Sequence, residues 1–150
     1  MSTGSDRLTI LKDRAQLLMH VRAFFAQGKV WEVDCPQLVK TPSLDSHIES
    51  MPVQVLNNAS GYLHTSPEYA MKRLLAEGSG DIYQLSHAFR KNELGRQHNP
   101  EFMLIEWYRT NYTWPSFLEE VQALINLFFQ KPLPKEELSY KEAFQKYAQI

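Results

Sequence analysis

The chain has 150 residues, 43% hydrophobic and 12% aromatic, enough to build about one packed domain, and its net charge of −1 excludes a general polyanion binder while leaving room for a local anion site. Cys35 is the only cysteine, so no internal disulfide is possible and a reducing, cytoplasmic setting is expected. The first residues lack the apolar run of a signal peptide, and no stretch approaches the roughly 20 apolar residues of a membrane span.

Leu8, Leu11, Ala15, Leu18, Val21 and Phe25 recur at three- and four-residue steps, which predicts a helix from about Asp6 to Gln27. Asp6 reads as its N-cap and Gly28 as its stop. In VWEVDCP, Val30, Trp31 and Val33 favour a strand that Pro36 ends. SHIESMPVQVL is compatible with strands, and NNASG reads as a turn. TSPEYAMKRLLAEGSG predicts a second helix, capped by Ser66, with Pro67 in its first position and Gly78 or Gly80 ending it. Glu68 then falls in the first turn, where the helix dipole favours a carboxylate, so a plain first-turn charge and a ligand contact both fit it. GSG lacks the wider glycine and lysine pattern of a phosphate loop.

DIYQLSHAFR and EFMLIEWYR both alternate, and the polar run between them predicts an antiparallel hairpin. Tyr83, Leu85 and His87 share one face with Met103, Ile105 and Trp107. Ser86, Arg90, Phe102, Glu106 and Tyr108 share the other, a polar front suited to a site. The intervening loop is longer than a tight turn and concentrates Arg90, Arg96, His98, Asn92 and Asn99 beside Phe102. A solvated hairpin tip and an anion grip beside a flat ring both fit that composition. His87 reads as a packed histidine on the apolar face. Further on, WPSFLEEVQALINLFF predicts a helix with Pro115 near its first turn and Phe117, Val121, Leu124, Ile125 and Phe128 buried. KPLPKEE is a connector, and Ser139 with Glu142 has capping-box spacing before a last helix.

PEYAMKRLL, FR and RQHNPEFMLIEWYR together resemble the catalytic core of class II aminoacyl-tRNA synthetases. Within that class the likeness is to lysyl-tRNA synthetases and, closer, to the stand-alone elongation factor P β-lysine ligases. Residues of about 82–109 look like motif 2, and about 24–36 look like motif 1, with Pro36 in place of its signature proline. The resemblance implies an α+β fold built on an antiparallel sheet flanked by helices. It implies that a lysine-type amino acid is activated with ATP as an adenylate and ligated to a lysine of elongation factor P.

By that similarity Arg90 would hold the α-phosphate as the catalytic cation. Arg96 and His98 would reach the outer phosphates, Asn92 and Asn99 would contact the nucleotide, and Phe102 would stack on adenine. Ser66, Pro67, Glu68 and Tyr108 would contact the amino acid, with Glu68 facing an ammonium group. Two departures stand out. The motif usually carries glutamate where this chain has Asn92, followed by Glu93. The glycine-rich motif 3 and its magnesium carboxylates are absent, so the chain resembles roughly the first half of a catalytic domain and supplies no metal ligands for Mg2+. With the helix ahead of the motif 1-like segment starting within the first ten residues, no anticodon-binding barrel is expected before it, which favours the protein-modifying ligases and leaves tRNA an unexpected partner. Motif 1 implies a homodimer. A lysyl-tRNA synthetase fragment and a non-catalytic remnant used for binding or dimerisation stay open as alternatives.

Overall fold

A computed structural model describes residues 4–56, 59–129 and 131–149. Helix α1 (Gly4–Gln27) leads into a two-residue strand β1 (Trp31–Glu32) and a second short strand β2 (Leu38–Val39). Strands β3 (Met51–Leu56) and β4 (Ala59–Leu63) follow, then α2 (Glu68–Ala76). The long hairpin comes next, as β5 (Ile82–Phe89) and β6 (Glu101–Tyr108), followed by α3 (Trp114–Phe129), α4 (Tyr140–Ala143) and a π-helical turn over Phe144–Ala148.

The strands form two sheets of three, ordered β1-β5-β6 and β2-β4-β3. The α+β class is as expected, but the sheet is not one antiparallel unit. β1 runs parallel to β5, and the other pairings are antiparallel. The hairpin register sets Tyr83 opposite Trp107, Leu85 opposite Ile105 and His87 opposite Met103. On the other face Gln84 lies opposite Glu106 and Ala88 opposite Phe102, so both faces are those the alternation predicts.

The back of this sheet carries the larger core, in which Val21, Phe25, Val30, Tyr83 and Leu124 are buried and Trp107 and Ile105 pack against them. Phe25 stacks on Tyr83 with ring centroids 4.3 Å apart and meets Trp107 at 5.7 Å. The front packs Ile82 and Tyr108 against Met71, Leu74 and Leu75 of α2 and against Cys35. One sheet is therefore covered on both sides at its base. α1 and α3 lie behind it, and α2 lies in front.

Several expectations need correction. α1 begins at Gly4, so Asp6 lies in its first turn rather than capping it. The predicted stripe is buried only at its C-terminal end: Val21 and Phe25 are fully buried, while Leu8 and Leu11 are exposed, because it is the last turns of α1 that meet the sheet. Pro67 is the N-cap of α2, not its first helical residue, and Ser66 Oγ accepts a hydrogen bond from Glu68 N at 3.3 Å. Gly78 and Gly80 take φ of 88° and 74°, so the GSG does end that helix as a turn that side-chain-bearing residues enter at a cost. Asn57 and Asn58 of the predicted turn lie outside the described residues, and Ala59 to Gly61 belong to β4. In α3, Leu124 is buried but Ile125 and Phe128 are substantially exposed. The capping box at Ser139 and Glu142 is present: Ser139 Oγ accepts from Glu142 N, and Ser139 N donates to Glu142 Oε2 at 2.8 Å.

Candidate functional site

The polar front of the hairpin is not a solvent-facing sheet. Gln84 is 2% exposed and Ala88 is fully buried, while Ser86, Phe102, Glu106 and Tyr108 are half-buried. The Gln84 amide explains its own burial. Cys35 N donates to Gln84 Oε1 at 2.8 Å, and Gln84 Nε2 donates to Cys35 O at 3.3 Å and to Ser86 Oγ at 2.9 Å. A side-chain amide thus pairs with a peptide group where the β1–β5 ladder runs out, tying the Cys35 segment to the floor of the front.

Above that floor sits a cluster of carboxylates and hydroxyls. Tyr108 OH donates to Glu106 Oε1 at 2.7 Å. Burial pushes the Glu106 carboxyl above its ordinary range. The Tyr108 hydroxyl opposes that shift, the Glu68 carboxylate adds to it, and the Ser66 hydroxyl and Lys72 ammonium oppose it. Burial, and then the bond to Glu106, also raises the Tyr108 phenol. Glu68 holds the ammonium of Lys72 one helical turn away, with Nζ to Oε1 at 2.5 Å. Ser66, just ahead of α2, Glu68 in its first turn, and Glu106 and Tyr108 of β6 therefore converge on one region whose carboxylates would welcome a cation.

Arg90 lies just past the end of β5. Its guanidinium stands 5.0 Å from the centroid of the Phe102 ring, and its nearest carboxylate is Glu93, at 3.8 Å. Among the described residues two buried side-chain nitrogens lack a hydrogen-bond partner, Arg90 Nε and Arg109 Nε. The two differ in what surrounds them. Arg109 is otherwise saturated: Nη1 donates to Asp81 Oδ2 at 2.9 Å and to Gly28 O at 3.1 Å, and Nη2 meets Tyr112 OH at 2.6 Å and Glu120 Oε2 at 2.8 Å. Arg90 has no comparable set. A planar fork with an unmet buried donor beside a flat ring fits an anion attached to an aromatic base.

The loop after Arg90 is exposed from Leu94 to Asn99, so the side chains of Arg96, His98 and Asn99 are open to solvent. Gly95 N donates to His98 O at 3.0 Å, closing a small turn that carries Arg96. Asn92, with φ of 66°, directs its amide to Glu49 Oε2 at 2.7 Å. Glu93, the neighbour that shares the departure, is the residue facing Arg90.

A cavity of about 460 Å³ lies between the β2 segment and the start of α2. Ser66, Pro67 and Glu68 line it together with His64, Thr65 and Tyr69, whereas Arg90, Phe102 and Tyr108 do not. The sequence-predicted residues thus fall into two groups: Ser66, Pro67 and Glu68 at the cavity, with Tyr108 joined to them through Glu106, and the remainder at the hairpin tip. No group of three or more His, Cys, Asp or Glu side chains that could hold a metal occurs among the described residues. Nor is any helix among them long and apolar enough to cross a membrane.

The family model for class II tRNA synthetases (D, K and N) matches residues 3–149. The chain belongs to that family. The elongation factor P–(R)-β-lysine ligase of Erwinia tasmaniensis is 41% identical over 151 aligned residues, covering 97% of this chain and 46% of its own length. Those of Pseudoalteromonas translucida and Vibrio cholerae are each 42% identical, over 94% and 96% of this chain and 45% of their own lengths. The chain spans about half the length of the curated relatives it matches.

Glu106, Gln84 and Glu49 shape the front and the hairpin tip, and of the three the sequence marks only Glu106, as a member of the polar front. For Glu106 a signal existed, since alternation sets it on the front beside Tyr108. Gln84 and Glu49 act through partners 49 and 43 residues away, for which one sequence offers no cue.

Proposed function

We propose that this chain carries the nucleotide- and amino-acid-binding side of a ligase that activates a lysine-type amino acid with ATP and transfers it to a lysine of elongation factor P. The observation that carries the reading is Arg90, a fork with a buried, unpartnered Nε beside the Phe102 ring. The names of the relatives and their identity along nearly the whole chain support it.

In the first step a carboxylate oxygen of the amino acid attacks the α-phosphorus of ATP, and pyrophosphate leaves. The attack brings two anions together, so cationic donors aimed at the phosphate supply the main help, with no protein nucleophile. Arg90 holds the α-phosphate, Arg96 and His98 meet the outer phosphates, and Asn99 contacts the nucleotide. The guanidinium covers one face of Phe102, which leaves the opposite face for adenine or requires the arginine to swing towards the phosphate. Glu68, Ser66, Pro67 and Tyr108 hold the amino acid, with Glu68 releasing Lys72 to take an ammonium. Glu106, in the same cluster, offers a second carboxylate to a substrate with two ammonium groups. In the second step the acceptor lysine's amine attacks the acyl carbon and AMP leaves. Magnesium would neutralise the polyphosphate charge. A homodimer acting in the cytoplasm, without tRNA, completes the proposal.

The test is ATP–pyrophosphate exchange by the full-length protein that contains this chain, with and without lysine or (R)-β-lysine. Exchange that depends on the amino acid supports the reading. ATP binding without exchange supports a non-catalytic remnant, and charging of tRNA supports the synthetase alternative.

A further inference from the structure

We infer that Glu49 is a positioning residue for the phosphate-facing loop, an assignment that rests on the proposed nucleotide-binding role of that loop. The hairpin ladder is extended one step past β5 and β6, where Arg90 N donates to Pro100 O at 2.9 Å. At the next residue the chain leaves the ladder, and Glu49, just ahead of β3, captures it. Lys91 N donates to Glu49 O at 2.8 Å, Lys91 Nζ pairs with Glu49 Oε1, and Asn92 Nδ2 donates to Glu49 Oε2 at 2.7 Å. One residue thus binds, through its carbonyl and both carboxylate oxygens, the two residues that follow Arg90.

Little else holds the loop. Its residues from Leu94 to Asn99 are exposed, and its internal bonds are those between Gly95 and His98. Among the described residues, the hydrogen bonds and ion pairs that reach residues 91–99 from outside the hairpin all come from Glu49. A segment without buried apolar side chains takes its position from such bonds. Asn92 also sits at φ of 66°, in the left-handed region that asparagine enters more readily than most residues, and its amide bond to Glu49 holds it there. Glu93 follows directly and is the carboxylate facing Arg90, so the direction set at Asn92 passes to the guanidinium.

The arrangement has a defined polarity, with a carboxylate at 49 and an amide donor at 92. Asn92→Asp sets two carboxylates against each other. Glu49→Gln then restores a bond with the roles reversed, because the new amide donates to the new carboxylate. The Glu49 and Lys91 side chains are each about half exposed, so the single contacts are weak and the effects are modest.

The experiment uses the full-length protein and measures amino-acid-dependent ATP–pyrophosphate exchange, with KM for ATP and for the amino acid determined separately. Glu49→Gln raises KM for ATP about threefold and Asn92→Asp about tenfold, and the double variant returns to within about threefold of wild type. KM for the amino acid stays within about twofold throughout, a split that general destabilisation would not produce. Amide hydrogen exchange over residues 91–99 of the nucleotide-free protein rises in Asn92→Asp and falls back in the double variant. In an active enzyme, unchanged KM for ATP in both single variants, or a double variant no better than Asn92→Asp, overturns this role alone. A wild-type protein without exchange overturns the proposed function and this role with it.

Discussion

Arg109→Met tests whether the base of the hairpin is held by a buried charge network. The Arg109 side chain is 5% exposed and bridges Asp81 at the start of β5, the carbonyl of Gly28 after α1, and Glu120 of α3. Methionine keeps most of the apolar stem and removes the charge. The loss leaves Glu120, 11% exposed, and Asp81, 23% exposed, without their cation. Breaking one side of a buried pair costs about 3–5 kcal/mol. Here the lower end applies, because each carboxylate keeps other donors. Asp81 Oδ1 still accepts from Thr110 N at 2.6 Å and Thr110 Oγ1 at 2.7 Å, and Glu120 Oε1 still accepts from Trp107 Nε1 at 2.9 Å. A loss of about 3 kcal/mol corresponds to roughly 6–12 °C in Tm for a domain of this size. Thermal denaturation followed by circular dichroism at neutral pH measures it. Adding Glu120→Gln removes the more buried orphan charge and recovers about 1 kcal/mol. A single-variant loss below about 1 kcal/mol, or a double variant whose losses simply add, refutes the idea that charge burial rather than packing sets the energy of this knot.

Glu106→Gln probes the front cluster. Burial raises the Glu106 carboxyl in the folded state, so the fold binds its proton more tightly than the unfolded chain does, and this group's contribution falls as pH rises from the ordinary carboxylate range through the raised value. The stability of Glu106→Gln relative to wild type should therefore increase between about pH 4 and pH 7; a flat difference across urea melts in that range would contradict it. Gln84→Leu leaves the peptide groups of Cys35 unpaired and should destabilise by about 2–4 kcal/mol, whereas a cost below about 0.5 kcal/mol would show that water replaces the amide. Arg90→Lys keeps the charge but loses the fork, and about a 10- to 100-fold fall in kcat/KM for ATP in the exchange assay is expected. An equal fall for Arg90→Lys and Arg96→Lys would remove the special place given to Arg90.

The hairpin and its two faces were readable because period-two alternation reports directly which side chains share a face. What packs on each face was not readable, so the polar front gave no sign that Gln84 and Ala88 are buried under it. In α1 the helical period was correct, yet Leu8 and Leu11 stay exposed, since a periodic stripe marks a face without marking how far a partner extends along it. β1 and β2 are two residues each, too short to show a period, and they are placed by partners distant in sequence. Arg109 read as the end of a strand, and its partners Gly28, Asp81 and Glu120 span much of the chain. The residues of the hairpin tip came from a motif that concentrates its chemistry within a short segment, whereas Glu49 reaches the same loop across 43 residues.

The central claim is that Arg90 and Phe102 together receive a nucleotide. A crystal structure of the full-length protein with a non-hydrolysable ATP analogue tests it most directly. The account predicts adenine stacked on Phe102 at about 3.5–4 Å, with an Arg90 nitrogen, Nε included, donating to an α-phosphate oxygen at about 2.7–2.9 Å. A bound nucleotide whose base lies away from Phe102, with the Arg90 guanidinium making no phosphate contact, would contradict it.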